Sequence, residues 1–139
     1  MANEKDQLIK ARILDWAGPA FPLEIREAAA RVFVDFKAGI RNEETEAFSG
    51  KLSFGTGGMR GVLGIGAGRL NQWTVGRAAL GFVRYIKETY HNPSIVIAHD
   101  SRRMSPEFSS LVAGLAASLQ IKAFIFRGVT PTPILSYAI

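Results

Sequence analysis

Arg60 stands in a run of glycines, Ser53-Phe54-Gly55-Thr56-Gly57-Gly58-Met59-Arg60-Gly61-Val62-Leu63-Gly64. Glycine lets the backbone adopt positive φ and pass close to a ligand. An arginine in such a loop offers a planar fork of donors suited to phosphate or carboxylate. By itself the stretch also reads as a tight turn with a solvated arginine. A second polar group, Asp100-Ser101-Arg102-Arg103, directly follows the short apolar run at residues 94–98. A carboxylate and a guanidinium two residues apart suit either a structural ion pair or the support of a site. Glu43, Glu44 and Glu46 form a carboxylate cluster without calcium-loop or zinc spacing, so a solvated connector is expected over residues 40–50. His99 has no histidine partner nearby, and no D-x-D occurs in the chain. No metal ligands are expected here.

The glycines do not spell a nucleotide loop. In a G-x-G-x-x-G fingerprint begun at Gly55 the last position is Arg60, and in one begun at Gly64 it is Arg69. No G-x-x-x-x-G-K-[ST] is present either. Dinucleotide and P-loop chemistry are both disfavoured.

The elements that must position these groups follow from periodicity. Leu8, Ile9, Ile13 and Trp16 give residues 5–17 a loose helical pattern, which Gly18-Pro19 stops. Ile25, Ala28, Ala29, Val32, Phe33 and Phe36 lie at i, i+3, i+4, i+7, i+8 and i+11, predicting an amphipathic helix. Pro22 suits its first turn and Gly39 its end. Asn71 is a cap for a helix running to about Tyr90, with Val75, Ala78, Ala79, Phe82, Val83 and Ile86 inward. His91-Asn92-Pro93 ends it, and residues 94–98 form a strand. Ser105-Pro106-Glu107 reads as N-cap, N1 and N2 of the next helix, with Phe108, Leu111, Val112, Leu115 and Leu119 inward. Residues 122–127 make a second strand, and Thr130-Pro131-Thr132-Pro133 opens a last helix over residues 134–139. Strand, helix, strand, helix predicts a βαβ unit with a largely parallel sheet. Ligands of such sheets bind beyond the carboxyl ends of the strands. The loops at residues 100–103 and 128–133 are therefore expected on one edge.

Composition narrows the partners. The 139 residues suffice for one domain, and the absence of cysteine excludes disulfides and thiolate metal sites. The start is polar and no apolar run reaches the eighteen or so residues of a membrane span. A cytoplasmic, soluble protein without membrane partners is expected. The formal charge of +5 is dispersed, with Arg102-Arg103 the one adjacent Arg pair among the basic residues. Nucleic-acid binders cluster their basic residues, so none is expected as a partner; a small anion accounts for the balance as well.

Taken in order, Phe54-Gly55-Thr56-Gly57-Gly58-Met59-Arg60-Gly61, Asp100-Ser101-Arg102 and Thr130-Pro131-Thr132-Pro133-Ile134-Leu135-Ser136 carry a resemblance. The chain resembles the N-terminal part of an α-D-phosphohexomutase over essentially its whole length. The helical start with Trp16 and the doubled Gly57-Gly58 resemble the phosphoglucomutase branch that also acts on pentose phosphates. The fold then expected is α/β: a helical N-terminal extension at residues 1–50, and an incomplete α/β sandwich domain with a mixed, largely parallel sheet at 51–139.

The resemblance implies a four-domain enzyme in which a phosphoserine gives its phosphoryl group to a sugar monophosphate. A bisphosphate intermediate then reorients and returns the other phosphate. Arg60 matches the arginine that reaches the phosphoserine and the intermediate, and Thr56 is a second substrate contact. Asp100 and Arg102 match a turn that supports the catalytic loop. Arg103 and residues 130–133 are expected to be structural. Mg²⁺ and a sugar bisphosphate activator are implied for the whole enzyme, with no metal ligand in this chain. The family's T-A-S-H-N-P serine motif is absent; His91-Asn92-Pro93 follows Thr89-Tyr90 and lacks the serine. The sequence is thus expected to be a fragment ending before that loop, inactive alone and prone to self-association. The competing reading is a stand-alone, non-catalytic binding domain with the same fold.

Overall fold

The structure, a computed structural model, describes residues 4–55 and 58–139. Its contacts divide the chain into two units, Met1–Thr74 and Val75–Ile139.

The first unit is helical. Helix α1 (Glu4–Trp16) buries Ile9, Ile13 and Trp16, whereas Leu8 is exposed. Helix α2 (Leu23–Lys37) buries Ala29, Val32 and Phe36, the expected stripe. Pro22 is its N-cap, one position before the expected first turn, and Gly39 at φ +80° lets the chain leave it. Residues 40–50 are more than a solvated connector. They contain a one-turn helix, α3 (Glu43–Glu46), closed by a reciprocal cap. The Asn42 side chain accepts from the Thr45 amide at 2.9 Å while the Thr45 hydroxyl accepts from the Asn42 amide at 2.9 Å. The glutamates do face solvent, but Thr45, Ala47 and Phe48 turn inward. Phe48 is fully buried among Ile9, Ile13, Val32 and Phe36. Around it Trp16 stacks on Phe21 at 4.7 Å, and Trp73 meets both rings edge-on or tilted. Polar residues dominate the local sequence there, so a single inward phenylalanine leaves no periodic signal.

The glycine run forms a short hairpin, in which β1 (Phe54–Gly55) pairs antiparallel with β2 (Gly58–Met59). Beyond it the chain doubles back over α3. Gly66 has φ +107°, and a Cβ there would come within 2.7 Å of the Ala47 carbonyl oxygen. The neighbouring Gly68 amide donates to that same oxygen at 2.8 Å. Only glycine tolerates both the conformation and the approach.

The division between units falls in the first turn of α4 (Gln72–Thr89). Asn71 caps this helix as expected, its side chain accepting from the Thr74 amide at 2.9 Å. In the second unit β3 (Ser94–Ile97) pairs parallel with β4 (Lys122–Ile125), linked by α5 (Ser105–Ser118). This is the predicted βαβ order. Val83, Ile95, Ile97, Ala116 and Ile121 form the core. Phe82, expected inward, is 54% exposed. The four apolar residues predicted inward on α5, and Leu119 at its C-cap, are only half-buried; Ser109 and Ala116 are the buried ones. Small side chains allow the helix to lie close to the sheet. The last helix, α6 (Thr132–Tyr137), begins two residues before the expected start and buries none of its residues.

Candidate functional site

Arg60 follows β2 directly, on the second leg of the hairpin, and is exposed. Among the described residues it has no hydrogen-bond or ion-pair partner. Thr56, the second expected substrate contact, lies outside the described residues. What the structure defines around Arg60 is the root of its hairpin. On the first leg the Leu52 amide donates to the Ala67 carbonyl at 2.9 Å. The Leu52 side chain fills the space beside Gly61, where a Cβ would come within 2.7 Å of it. On the second leg Leu70 N–H donates to the Val62 carbonyl at 2.9 Å and Gly64 N–H to the Leu70 carbonyl at 3.1 Å.

Two side chains clasp the chain that flanks these legs. The Asn71 amide nitrogen donates to the carbonyls of Gly64, Gly66 and Arg69 at 2.8, 3.0 and 3.2 Å. One guanidinium nitrogen of Arg12, on α1, donates to the carbonyls of Phe48, Ser49 and Gly50 at 2.9, 2.8 and 2.8 Å. The capping role of Asn71 was legible in the sequence, its threefold clasp was not. Arg12 carried no signal at all, being one charged residue among several on a surface helix.

Asp100 and Arg102 lie in the second unit, in the turn after β3, and they pair. One carboxylate oxygen of Asp100 accepts from the Arg102 backbone amide at 3.0 Å. The other accepts from Arg102 Nε at 2.7 Å and lies 2.6 Å from its Nη2. The Asp100 amide donates to the Ser105 hydroxyl at 3.2 Å. This occupies Ser105, and the sequence expectation for it is corrected. The N-cap of α5 is Met104, in the left-handed conformation at φ 68°, with no side-chain cap, and Ser105 is the first helical residue. The turn also meets the loop after β4, since Thr130 N–H donates to the His99 carbonyl at 2.9 Å. Residues 99–103 and 128–133 thus share one sheet edge, as the βαβ order requires.

The hydrogen bond from the Arg102 side chain, followed by that from its backbone amide, draws the Asp100 pKa from 3.8 down to about 2. Arg102 is correspondingly raised. Because the folded carboxylate is the stronger acid, the turn is stabilised above pH 4. That contribution is lost as pH falls through about 2. The pair is solvent-exposed, at 78% for Arg102 and 41% for Asp100, so global stability should barely register it. A carboxylate-detected NMR titration should place the Asp100 midpoint near 2. In Arg102→Gln it should return toward the ordinary aspartate range; an unmoved midpoint would show that the guanidinium is not the cause.

Among the described residues no three His, Cys, Asp or Glu side chains gather as a metal site. Nor is any helix among them long and apolar enough to cross a membrane.

Residues 51–139 match the family described as phosphoglucomutase/phosphomannomutase, alpha/beta/alpha domain I. The chain is 44% identical over 97 residues to a phosphoglucomutase of Staphylococcus epidermidis strain ATCC 12228, covering 70% of this chain and 18% of that protein. It is 39% identical over 113 residues to a phosphoglucomutase of Staphylococcus aureus strain bovine RF122, covering 81% and 20%. No solved structure matches it. The chain spans about a fifth of the length of the curated relatives it matches. The matched segment contains both the Arg60 hairpin and the βαβ unit, so the chain belongs to the phosphoglucomutase/phosphomannomutase family through its α/β/α domain I.

Proposed function

We propose that the chain supplies the arginine-bearing wall of a phosphosugar cleft in a phosphoglucomutase-type enzyme. That enzyme would interconvert a sugar 1-phosphate with a 6-phosphate, or a 5-phosphate for pentoses, through a phosphoserine and a bisphosphate intermediate. The observation that carries this reading is Arg60 itself: an exposed guanidinium without a partner among the described residues, on a hairpin whose root is held on both legs. Phosphoryl transfer needs mainly positioning and charge stabilisation, and a planar fork on a hairpin held at its root supplies both. In this reading Arg60 binds the phosphate of the phosphoserine and then of the bisphosphate, with Thr56 as a neighbouring contact. Asp100 and Arg102, tied to each other, hold the turn that supports the catalytic loop. Magnesium would be held outside the described residues, and a sugar bisphosphate would prime the serine.

The 139 residues contain no T-A-S-H-N-P serine motif, so the polypeptide alone should not turn over. The test is a coupled assay with glucose 1-phosphate and ribose 1-phosphate, run on the product of the whole reading frame and on this chain. Mutase turnover by the first and background by the second is the expected pair. A whole product inactive on both sugars would favour a non-catalytic binding domain, and turnover by the chain alone would refute the assignment of the nucleophile.

A further inference from the structure

We propose that Arg12 is a positioning residue for Arg60, acting from the helical extension on the backbone that leads into the hairpin. The inference rests on the reading of Arg60 as a phosphate ligand. Its geometric half stands independently.

Phe48, Ser49 and Gly50 leave α3 with their three carbonyls directed at one point, where a single nitrogen of Arg12 donates to all of them at 2.8–2.9 Å. Among the described residues no backbone N–H reaches any of the three. Without Arg12, the part-buried Phe48 and Ser49 carbonyls would lack a donor among the described residues, and the chain would be free to rotate toward water to satisfy them. Four residues after Gly50 the hairpin begins. Among the described residues its first leg then has one backbone bond, Leu52 to Ala67, between the clasp and β1. The second leg has three ties: Leu70 to Val62, Gly64 to Leu70, and the Asn71 clasp. Arg12 therefore supplies the anchor on the leg that otherwise has least. Thirty-six to thirty-eight residues separate it from its acceptors, so a helix outside the matched family segment sets the root of a loop inside it.

The geometry also dictates the control. All three contacts come from one terminal nitrogen, whose two N–H groups are shared among three carbonyls, so a lysine ammonium, with three N–H donors on a flexible stem, can serve the same acceptors. A methionine retains an apolar stem and donates nothing. Hydrogen exchange on the chain should show faster exchange of amides 51–53 and 59–63 in Arg12→Met. Arg12→Lys should hold them close to wild type, and protection within α2 should be unchanged in both. A packing role for the stem would give the reverse ranking, with methionine as the better substitute. Wild-type exchange in Arg12→Met would overturn the proposal, whatever the mutase assay shows.

In the whole gene product, Arg12→Met should lower kcat/KM about ten- to a hundredfold, the scale of a misplaced positioning group. In an Arg60→Ala background the same change should have little further effect, because its route is already removed. Fully multiplying losses would overturn action through Arg60. A whole product without mutase activity would remove the phosphosugar reading while leaving the exchange result to decide the clasp.

Discussion

Arg60→Ala in the whole gene product should reduce kcat/KM by about a hundred- to a thousandfold, the scale seen when one preorganised donor to developing charge is removed. The fold should not suffer. Arg60 is exposed and has no partner among the described residues, so truncating it breaks no observed contact. The loss should therefore be confined to substrate turnover, with an unchanged thermal midpoint. Arg60→Lys should recover only part of it, since an ammonium preserves charge but lacks the planar fork that meets two phosphate oxygens together. Steady-state kinetics with glucose 1-phosphate decide the matter. An alanine variant within a few-fold of wild type would reduce Arg60 to a solvated turn residue.

Phe48→Ala should destabilise the first unit by about 3–5 kcal/mol, the range for deleting a buried phenyl ring. Phe48 is fully buried in the helical core and sits edge-on to Trp16 at 5.9 Å. It also bears one of the carbonyls that Arg12 clasps. Domains are stable by only about 5–15 kcal/mol in total, so the loss is a large share. Both tryptophans of the chain, Trp16 and Trp73, lie in this unit. Tryptophan fluorescence during urea unfolding therefore reports on it selectively, and its midpoint should fall sharply. Secondary-structure signal from the βαβ unit should persist to higher denaturant. Coincident, unshifted transitions would contradict the placement of Phe48.

Much of the fold can be read along the chain because helices and their caps are local. The stripe Ala29, Val32, Phe36 on α2, the Asn71 cap and the parallel βαβ order all follow from spacing within a few turns. The structure departs from local pattern where a contact outside the helical period decides a side chain's place. Phe48 sits in a polar stretch and is buried only because α1 and α2 present Ile9, Ile13, Val32 and Phe36 to it. Ser105 carries the ordinary N-cap signal, yet its hydroxyl accepts from the Asp100 amide, and Met104 takes the cap position in a left-handed conformation. Phe82 keeps the helical period of the α4 face but lies at its rim, more than half exposed.

The glycine run with its arginine illustrates both halves. Residue types alone determined that the stretch can pass close to a ligand, that it offers a fork of donors, and, with the two later motifs, which family it resembles. Those properties belong to glycine, to guanidinium and to their order. How the turn is held was decided elsewhere: by Arg12 reaching three carbonyls some thirty-seven residues away, by Leu52 filling the space beside Gly61, and by Asn71 gathering three carbonyls of the returning chain. Backbone carbonyls are identical at every position, so no sequence pattern marks which of them will lack a donor. Only the packed chain decides that, by bringing a distant side chain within hydrogen-bond reach.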